Sequence, residues 1–185
     1  MNLKNIYLIV GPSGSGKTTL AEVLSKEYDF KTVSSYTTRP ERYPGEKGHL
    51  FITDAEFDAL KDKCAFTTYN GYRYCVTSDI IDNSDLYVID PYGVKVLQNV
   101  YHGKRGIKMI RLLADEVTLK RHMAHRGDSD EKIAERLNFD KTQFMDDGHE
   151  LPYDLILPVA NIYDMIFCVV NFMACCEGKS MYIPI

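Results

Sequence analysis

The residues that most restrict this chain are Gly11-Pro12-Ser13-Gly14-Ser15-Gly16-Lys17-Thr18. They follow directly on the apolar run Ile6-Tyr7-Leu8-Ile9-Val10 and precede the helix-forming run Leu20-Ala21-Glu22-Val23-Leu24-Ser25-Lys26. The segment fits the phosphate-loop pattern G-x-x-x-x-G-K-[ST], in the strand-before, helix-after setting that the pattern requires. Its glycines let the backbone curl until several amide groups face one anion, and the helix N-terminus adds partial positive charge at the same place. Gly11, Ser13, Gly14, Ser15, Gly16, Lys17, Thr18 and Thr19 are therefore expected to hold the phosphates of a nucleoside triphosphate. Lys17 would reach the outer phosphates, and the Thr18 hydroxyl would sit on Mg²⁺. The bland alternative is a glycine-rich turn between strand and helix, against which Lys17-Thr18 stands in register. The motif predicts a nucleoside triphosphate site and leaves the phosphoryl acceptor to be found elsewhere in the chain.

Apolar strand-like runs alternate with helix-period segments, which predicts an α/β fold: a P-loop three-layer α/β/α parallel sheet. The expected strands are Ile6–Val10, Lys31–Val33, Leu86–Asp90, Lys108–Leu113 and Leu155–Leu157. The expected helices are Lys17–Tyr28, Tyr92–Leu97, Glu116–His125, Lys132–Phe144 and Ile162–Ala174. Residues 34–83 break this rhythm. They are rich in Thr, Tyr and Gly, and Asn70-Gly71 joins two alternating runs, Ala65–Tyr69 and Tyr72–Val76, as a hairpin. A small β-rich insertion over 34–83 is thus expected on a core of 1–33 and 84–185. The tail Gly178–Ile185 would pack on the surface or lie loose.

A length of 185 residues suits one compact domain with small insertions, and a net charge of −4 argues against a broad nucleic-acid or membrane surface. Five cysteines without a C-x-x-C pair argue against zinc and suit free thiols in a reducing cytosol. The apolar stretch Met165–Cys176 is short and broken by Asn171, and no signal peptide precedes the first strand. A cytoplasmic, soluble monomer or homodimer acting on small molecules is expected.

Three further features carry charge toward a phosphate. Ser34-Ser35-Tyr36-Thr37-Thr38-Arg39-Pro40-Glu41-Arg42 sets two arginines behind hydroxyl residues, a second anion site or else a solvated loop. Arg121-His122-Met123-Ala124-His125-Arg126-Gly127-Asp128, followed by Arg136, suits a mobile lid over about 121–136, or else an ordinary charged helix–turn–helix surface. Asp90 closes a buried strand at the sheet edge where ligands lie, and with Pro91 it is equally a helix N-cap.

Taken together, these residues resemble the guanylate kinase family over nearly the whole chain. The likeness rests on the phosphate loop, Val33–Arg42, Gly45-Glu46 leading to Phe51, Asn70–Tyr74, Asp90 with Gly93, Arg126-Gly127 and Ile133–Leu137. It implies that the insertion binds the acceptor monophosphate, that Ser35, Arg39, Arg42 and Tyr74 grip its phosphate, and that Asp90 lies near its nucleoside. It implies that Arg121, Arg126 and Arg136 are lid arginines on the transferring phosphates, with Lys17 and Arg39 also catalytic. ATP with Mg²⁺ would be the donor and GMP or dGMP the acceptor.

The chain departs from the family at several places. Ala65 stands where a base-reading glutamate is usual, and Val76, beside Thr77, where a base-reading hydroxyl is usual. The Gly45–Phe51 segment is short, with His49 or nothing in place of a second phosphate-binding tyrosine. Pro158 replaces an asparagine near the adenine. Altered base recognition is therefore expected. Two other acceptors stay open, a ribose 1,5-bisphosphate and a deoxynucleotide of different base. A non-catalytic interaction module is a reading of another class, against which Lys17 and Thr18 count.

Overall fold

The computed structural model describes residues 3–69, 71–145 and 151–180. The chain runs β1 (Asn5–Val10), α1 (Lys17–Tyr28), β2 (Ser35–Thr37), β3 (His49–Phe51), α2 (Asp54–Ala59), β4 (Lys63–Tyr69), β5 (Tyr72–Thr77) and α3 (Ser78–Asp82). It continues through β6 (Leu86–Val88), α4 (Pro91–Val100), β7 (Gly106–Leu113), α5 (Glu116–His125), α6 (Asp130–Met145), β8 (Leu155–Pro158) and α7 (Ile162–Cys176).

The main sheet has the order β6-β1-β7-β8, and every pair in it is parallel. β1 lies inside this sheet, so its side chains are buried on both faces, as its unbroken apolar sequence requires. Tyr7 and Ile9 pack with Leu20 and Leu24 of α1 and with Val169 and Met173 of α7. Ile6, Leu8 and Val10 pack with Val94 and Leu97 of α4. Helices on both faces of a parallel sheet make the three-layer α/β/α arrangement that the alternation of runs predicts.

Lys31–Val33 is not a full strand. It makes one isolated bridge, Thr32 to Leu86, with Val33 N–H donating to the Leu86 carbonyl and Leu86 N–H to that of Lys31. Extended backbone continues only at Ser35–Thr37, and there its partners are β3 and β5 of a second sheet. The second sheet has the order β3-β2-β5-β4, with β2–β3 parallel and the other pairs antiparallel.

In the β4–β5 hairpin Tyr69 stands opposite Tyr72; Asn70 of the expected turn lies outside the described residues. Register slips between Cys64 and Thr67, where Ala65 takes a positive φ of 47°. This bulge turns Cys64 and Ala65 into the apolar cluster under the main sheet, with Val76, Tyr87 and Val94. The second sheet is thus fastened to the α4 side of the first. Arg73 of β5 ties down α2: it pairs with Asp54 and Asp58 at 2.7 and 2.6 Å and lies 4.4 Å over the Phe57 ring. Among the described residues, no helix is long and apolar enough to cross a membrane.

Glu177, at the C-cap of α7, clasps the start of β1. It accepts hydrogen bonds from the Lys4 and Asn5 amides at 2.7 and 3.1 Å, from Asn5 Nδ2 at 2.8 Å and from the Tyr7 hydroxyl at 2.9 Å. Burial by itself raises its pKa, but these donors prevail and hold it below the ordinary carboxylate value. Glu177→Ala leaves the Lys4 and Asn5 amides without this acceptor and the Tyr7 hydroxyl with the Met173 carbonyl alone, and should cost about 2–4 kcal/mol near neutral pH in urea unfolding. Because the folded pKa is depressed, this contribution is present above the unfolded pKa and is lost as pH falls through the folded one. The gap between wild type and variant should therefore narrow in acid; an unchanging gap would show that the charge is not what stabilises the clasp.

Candidate functional site

At the carboxyl end of β1 the chain enters the glycine-rich loop and then α1. Gly16 is the N-cap of that helix, and no side chain caps it. The first bond of the helix is Leu20 N–H to the Gly16 carbonyl, so the amides of Lys17, Thr18 and Thr19 have no intrahelical acceptor. Three uncapped donors at the positive end of a helix suit a bound anion.

Gly14 is irreplaceable for two reasons. Its φ is 80°, and a Cβ there would lie 2.8 Å from the Leu119 carbonyl oxygen. That close approach seats α5 on the loop, and His122 adds a contact from Nδ1 to the Gly14 carbonyl at 2.9 Å. Ser15 is fully buried, and its hydroxyl has no hydrogen-bond partner.

The loop forms the floor of a cleft of about 690 Å³. Ser13 to Thr19 line it, His122, His125, Arg126 and Arg136 supply polar and charged wall, and Val159, Ala160, Ile162 and Met165 supply an apolar wall. Lys17 Nζ donates to the carbonyls of Gly11 at 2.6 Å and Pro12 at 2.9 Å. Burial pushes its pKa down to about 8; the carboxylates of Asp140 and Asp90 pull upward, and the Arg126 and Arg136 guanidinium groups push further down. Among the described residues, no three His, Cys, Asp or Glu side chains gather to hold a metal ion. A magnesium ion would therefore rest on phosphate oxygens and the exposed Thr18 hydroxyl, a donor set suited to a hard cation that keeps much of its water.

Arg126 and Arg136 reach this cleft, whereas Arg121 stays on the exposed surface of α5 and does not line it. The α5–α6 turn is a Schellman cap: Gly127, at φ 89°, donates to Ala124, and Asp128 N–H donates to Met123. This cap puts the Asp128 carboxylate among three cations. Arg126 pairs with it directly, Lys132 stands at 3.5 Å and Arg136 at 3.8 Å. The Arg126 hydrogen bond, chiefly, holds the Asp128 pKa below its ordinary value. On the opposite side Asp140 of α6 accepts from the Ser13 amide at 2.6 Å.

A second cationic group forms on the second sheet. Arg39 is 8% exposed, paired through both terminal nitrogens with Glu46 at 3.0 and 2.8 Å, and 5.3 Å over the Phe51 ring. Glu46 also accepts from the Arg42 amide at 2.8 Å, and these bonds hold its pKa down to about 2. The Arg42 side chain is 71% exposed, its guanidinium 3.9 Å from Glu46. Ser35 stands opposite His49 across β2 and β3, Oγ to Nδ1 at 2.9 Å, and the His49 ring meets Tyr74 edge-on at 5.9 Å. Ser35, Arg39 and Tyr74 thus share one neighbourhood, with Arg42 at its rim.

Asp90 caps α4, its Oδ1 accepting from the Gly93 amide at 2.8 Å with Pro91 at the first helical position. The cap half of its two sequence readings is therefore directly visible. Ala65 and Val76 are both buried and offer no polar atom, and Pro158 ends β8. Sequence reasoning did not single out Glu46, Asp128, Asp140 or His122 as site residues. Asp140 lies four residues after Arg136, on the same helical face, which was the available signal.

No protein-family model matches the chain. A guanylate kinase of Baumannia cicadellinicola is 30% identical over 194 aligned positions, covering 95% of this chain and 92% of the relative. A guanylate kinase of Mycoplasmopsis pulmonis is 29% identical over 160, covering 77% and 82%. The crystal structure of guanylate kinase from Anaplasma phagocytophilum superposes with a TM-score of 0.62 at 19% identity, over 97% of this chain and 89% of that one.

A triphosphate held against the part-buried ammonium of Lys17 would bind in a pH-dependent way. A phosphate anion raises the Lys17 pKa from its free value near 8, so binding is strongest below that pH and weakens above it. Titration calorimetry with ATP and magnesium should show little change in Kd between about pH 6.5 and 7.5. Above pH 8 the Kd should rise by up to about tenfold per unit. Lys17→Arg, which stays charged, should remove the alkaline weakening.

Proposed function

This chain belongs to the guanylate kinase family, and from that membership we propose that it transfers the γ-phosphoryl group of ATP to GMP or dGMP. What supports this reading is the presence on one molecule of two groups suited to an anion. One is the uncapped amide cradle at Lys17–Thr19; the other is the Ser35–Arg39–Tyr74 neighbourhood on the second sheet.

In this reading ATP lies in the cleft, its phosphates on residues 11–19 and its base against the apolar wall of Val159, Ala160, Ile162 and Met165. The second sheet, within residues 34–83, takes the acceptor. Ser35, Arg39, Arg42 and Tyr74 hold its phosphate, and Asp90 lies on the nucleoside side. A monophosphate is already anionic at neutral pH, so the attacking oxygen needs no general base. Catalysis then consists of positioning and charge neutralisation. Lys17 trades the Gly11 and Pro12 carbonyls for phosphate oxygens. Arg126 and Arg136 trade Asp128 for the moving phosphoryl group. Arg121, one turn before the cleft-lining His125, would have to swing in from the exposed surface of α5 to join them. The Thr18 hydroxyl would help hold magnesium, which when bound would supply divalent charge to the transferred group.

Coupled ADP-release assays with GMP, dGMP, other nucleoside monophosphates and ribose bisphosphate test the assignment. GMP or dGMP should be the preferred acceptor, and turnover with ribose bisphosphate alone would overturn it. Lys17→Ala should lower kcat by about a thousandfold. Arg39→Lys keeps the charge beside Glu46 but loses the two-pronged fork, and should raise the acceptor KM about tenfold with kcat little changed.

A further inference from the structure

One imidazole in the acceptor neighbourhood is not used by the chemistry above. His49 sits on β3, in register with Ser35 of β2, its Nδ1 2.9 Å from the Ser35 hydroxyl. Its ring meets Tyr74 of β5 at 5.9 Å and Phe51 at 6.0 Å, both edge-on. These contacts leave the ring little freedom to leave Ser35. We propose that His49 is a positioning residue for the acceptor: donating from Nδ1 to the Ser35 oxygen, it turns the single hydroxyl proton of Ser35 toward the acceptor phosphate. The proposal rests on the kinase reading given above.

The chemistry follows from counting protons. A serine hydroxyl has one proton and can also accept. An imidazole whose Nδ1 is bare takes that proton, and the hydroxyl then shows the phosphate only lone pairs. A doubly protonated ring can only donate, which leaves the Ser35 proton for the anion. The charged groups around the ring are Arg39 and Arg42 on one side and Glu46 on the other, with Ser35 and Tyr74 the polar faces from β2 and β5. Burial first, then the two arginines, hold the His49 pKa below the ordinary histidine value in the free protein, with Glu46 and Ser35 opposing. A phosphate dianion placed on Arg39 and Arg42 reverses the sign of the local field and raises that pKa. Acceptor binding therefore takes up a proton. Affinity gains as pH falls from the bound pKa to the free one and is lost as pH rises through the bound pKa.

The test measures acceptor KM and kcat at saturating ATP and magnesium, between about pH 5.5 and 8.5, for wild type, His49→Gln, His49→Phe and Ser35→Ala. The second ionisation of the acceptor phosphate, near 6, is common to all and cancels in KM ratios. At the acid end His49→Phe should have a KM about tenfold above wild type, with kcat within about twofold, and this ratio should shrink as pH rises. His49→Gln, whose amide donates without titrating, should restore part of the affinity and show a flat ratio to His49→Phe. In a Ser35→Ala background His49→Phe should add nothing. A pH-independent ratio, or full additivity with Ser35→Ala, overturns the inference. Ring NMR of wild-type His49 during titration with GMP alone supplies a readout that needs no variant. GMP binding with an unmoved His49 titration overturns the inference and leaves the kinase reading standing; no binding and no turnover overturns both.

Discussion

The placement of β1 inside the parallel sheet sets everything that follows. Its backbone is shared between β6 and β7, and its side chains are packed from both faces, so Val10 has a fixed position and direction. The loop that leaves Val10 must return into α1 within six residues, since the helix starts at Lys17. The loop pairs its Ser15 amide with the Pro12 carbonyl and its Ser13 amide with Asp140, but the turn into α1 leaves the amides of Lys17, Thr18 and Thr19 without an intrahelical acceptor, the arrangement that suits an anion. The chemistry is thus a by-product of strand burial followed by a turn too tight to satisfy itself.

A second regularity is that the cations of the cleft and of the second sheet already have company. Arg39 has Glu46, Arg126 and Arg136 have Asp128, and Lys17 has two backbone carbonyls with Asp140 close by. A chain of net charge −4 can hold concentrated positive sites without repulsion because each is matched locally. In the proposed reading phosphate binding would exchange existing partners, carboxylates for the arginines and backbone carbonyls for Lys17, which would lower the net affinity of each contact and leave product release possible.

Much of this was legible beforehand, and the limits have physical causes. The strand–loop–helix unit is local, and a continuous apolar run before a helical period announces it. The parallel main sheet follows from alternation alone. Lys31–Val33 looked like a strand because propensity does not say which sheet a short extended run will join; three residues later the chain finds partners in β3 and β5 instead. The Arg121–Arg136 stretch was readable as a cluster, but not that the α5–α6 turn brings Arg126 and Arg136 to the cleft and leaves Arg121 outside it. Ser35 was named, and His49 entered only with the reading that it or nothing replaces a phosphate-binding tyrosine, because their meeting depends on a parallel pairing across fourteen residues. Asp140 meets Ser13 across 127 residues, beyond the reach of any local pattern.

The Glu177 clasp has a consequence for how the molecule comes into being. Synthesis delivers β1 early, yet the Tyr7 hydroxyl and the amides of residues 4 and 5 wait for a carboxylate 170 or more positions downstream. β7, the other neighbour of β1 in the sheet, is likewise a late arrival, paired across about a hundred residues. A nascent chain still tethered to the ribosome carries its most apolar strand half-dressed, and closure of so distant a loop is slow. The strand that leads into the glycine-rich loop therefore needs shelter until α7 emerges.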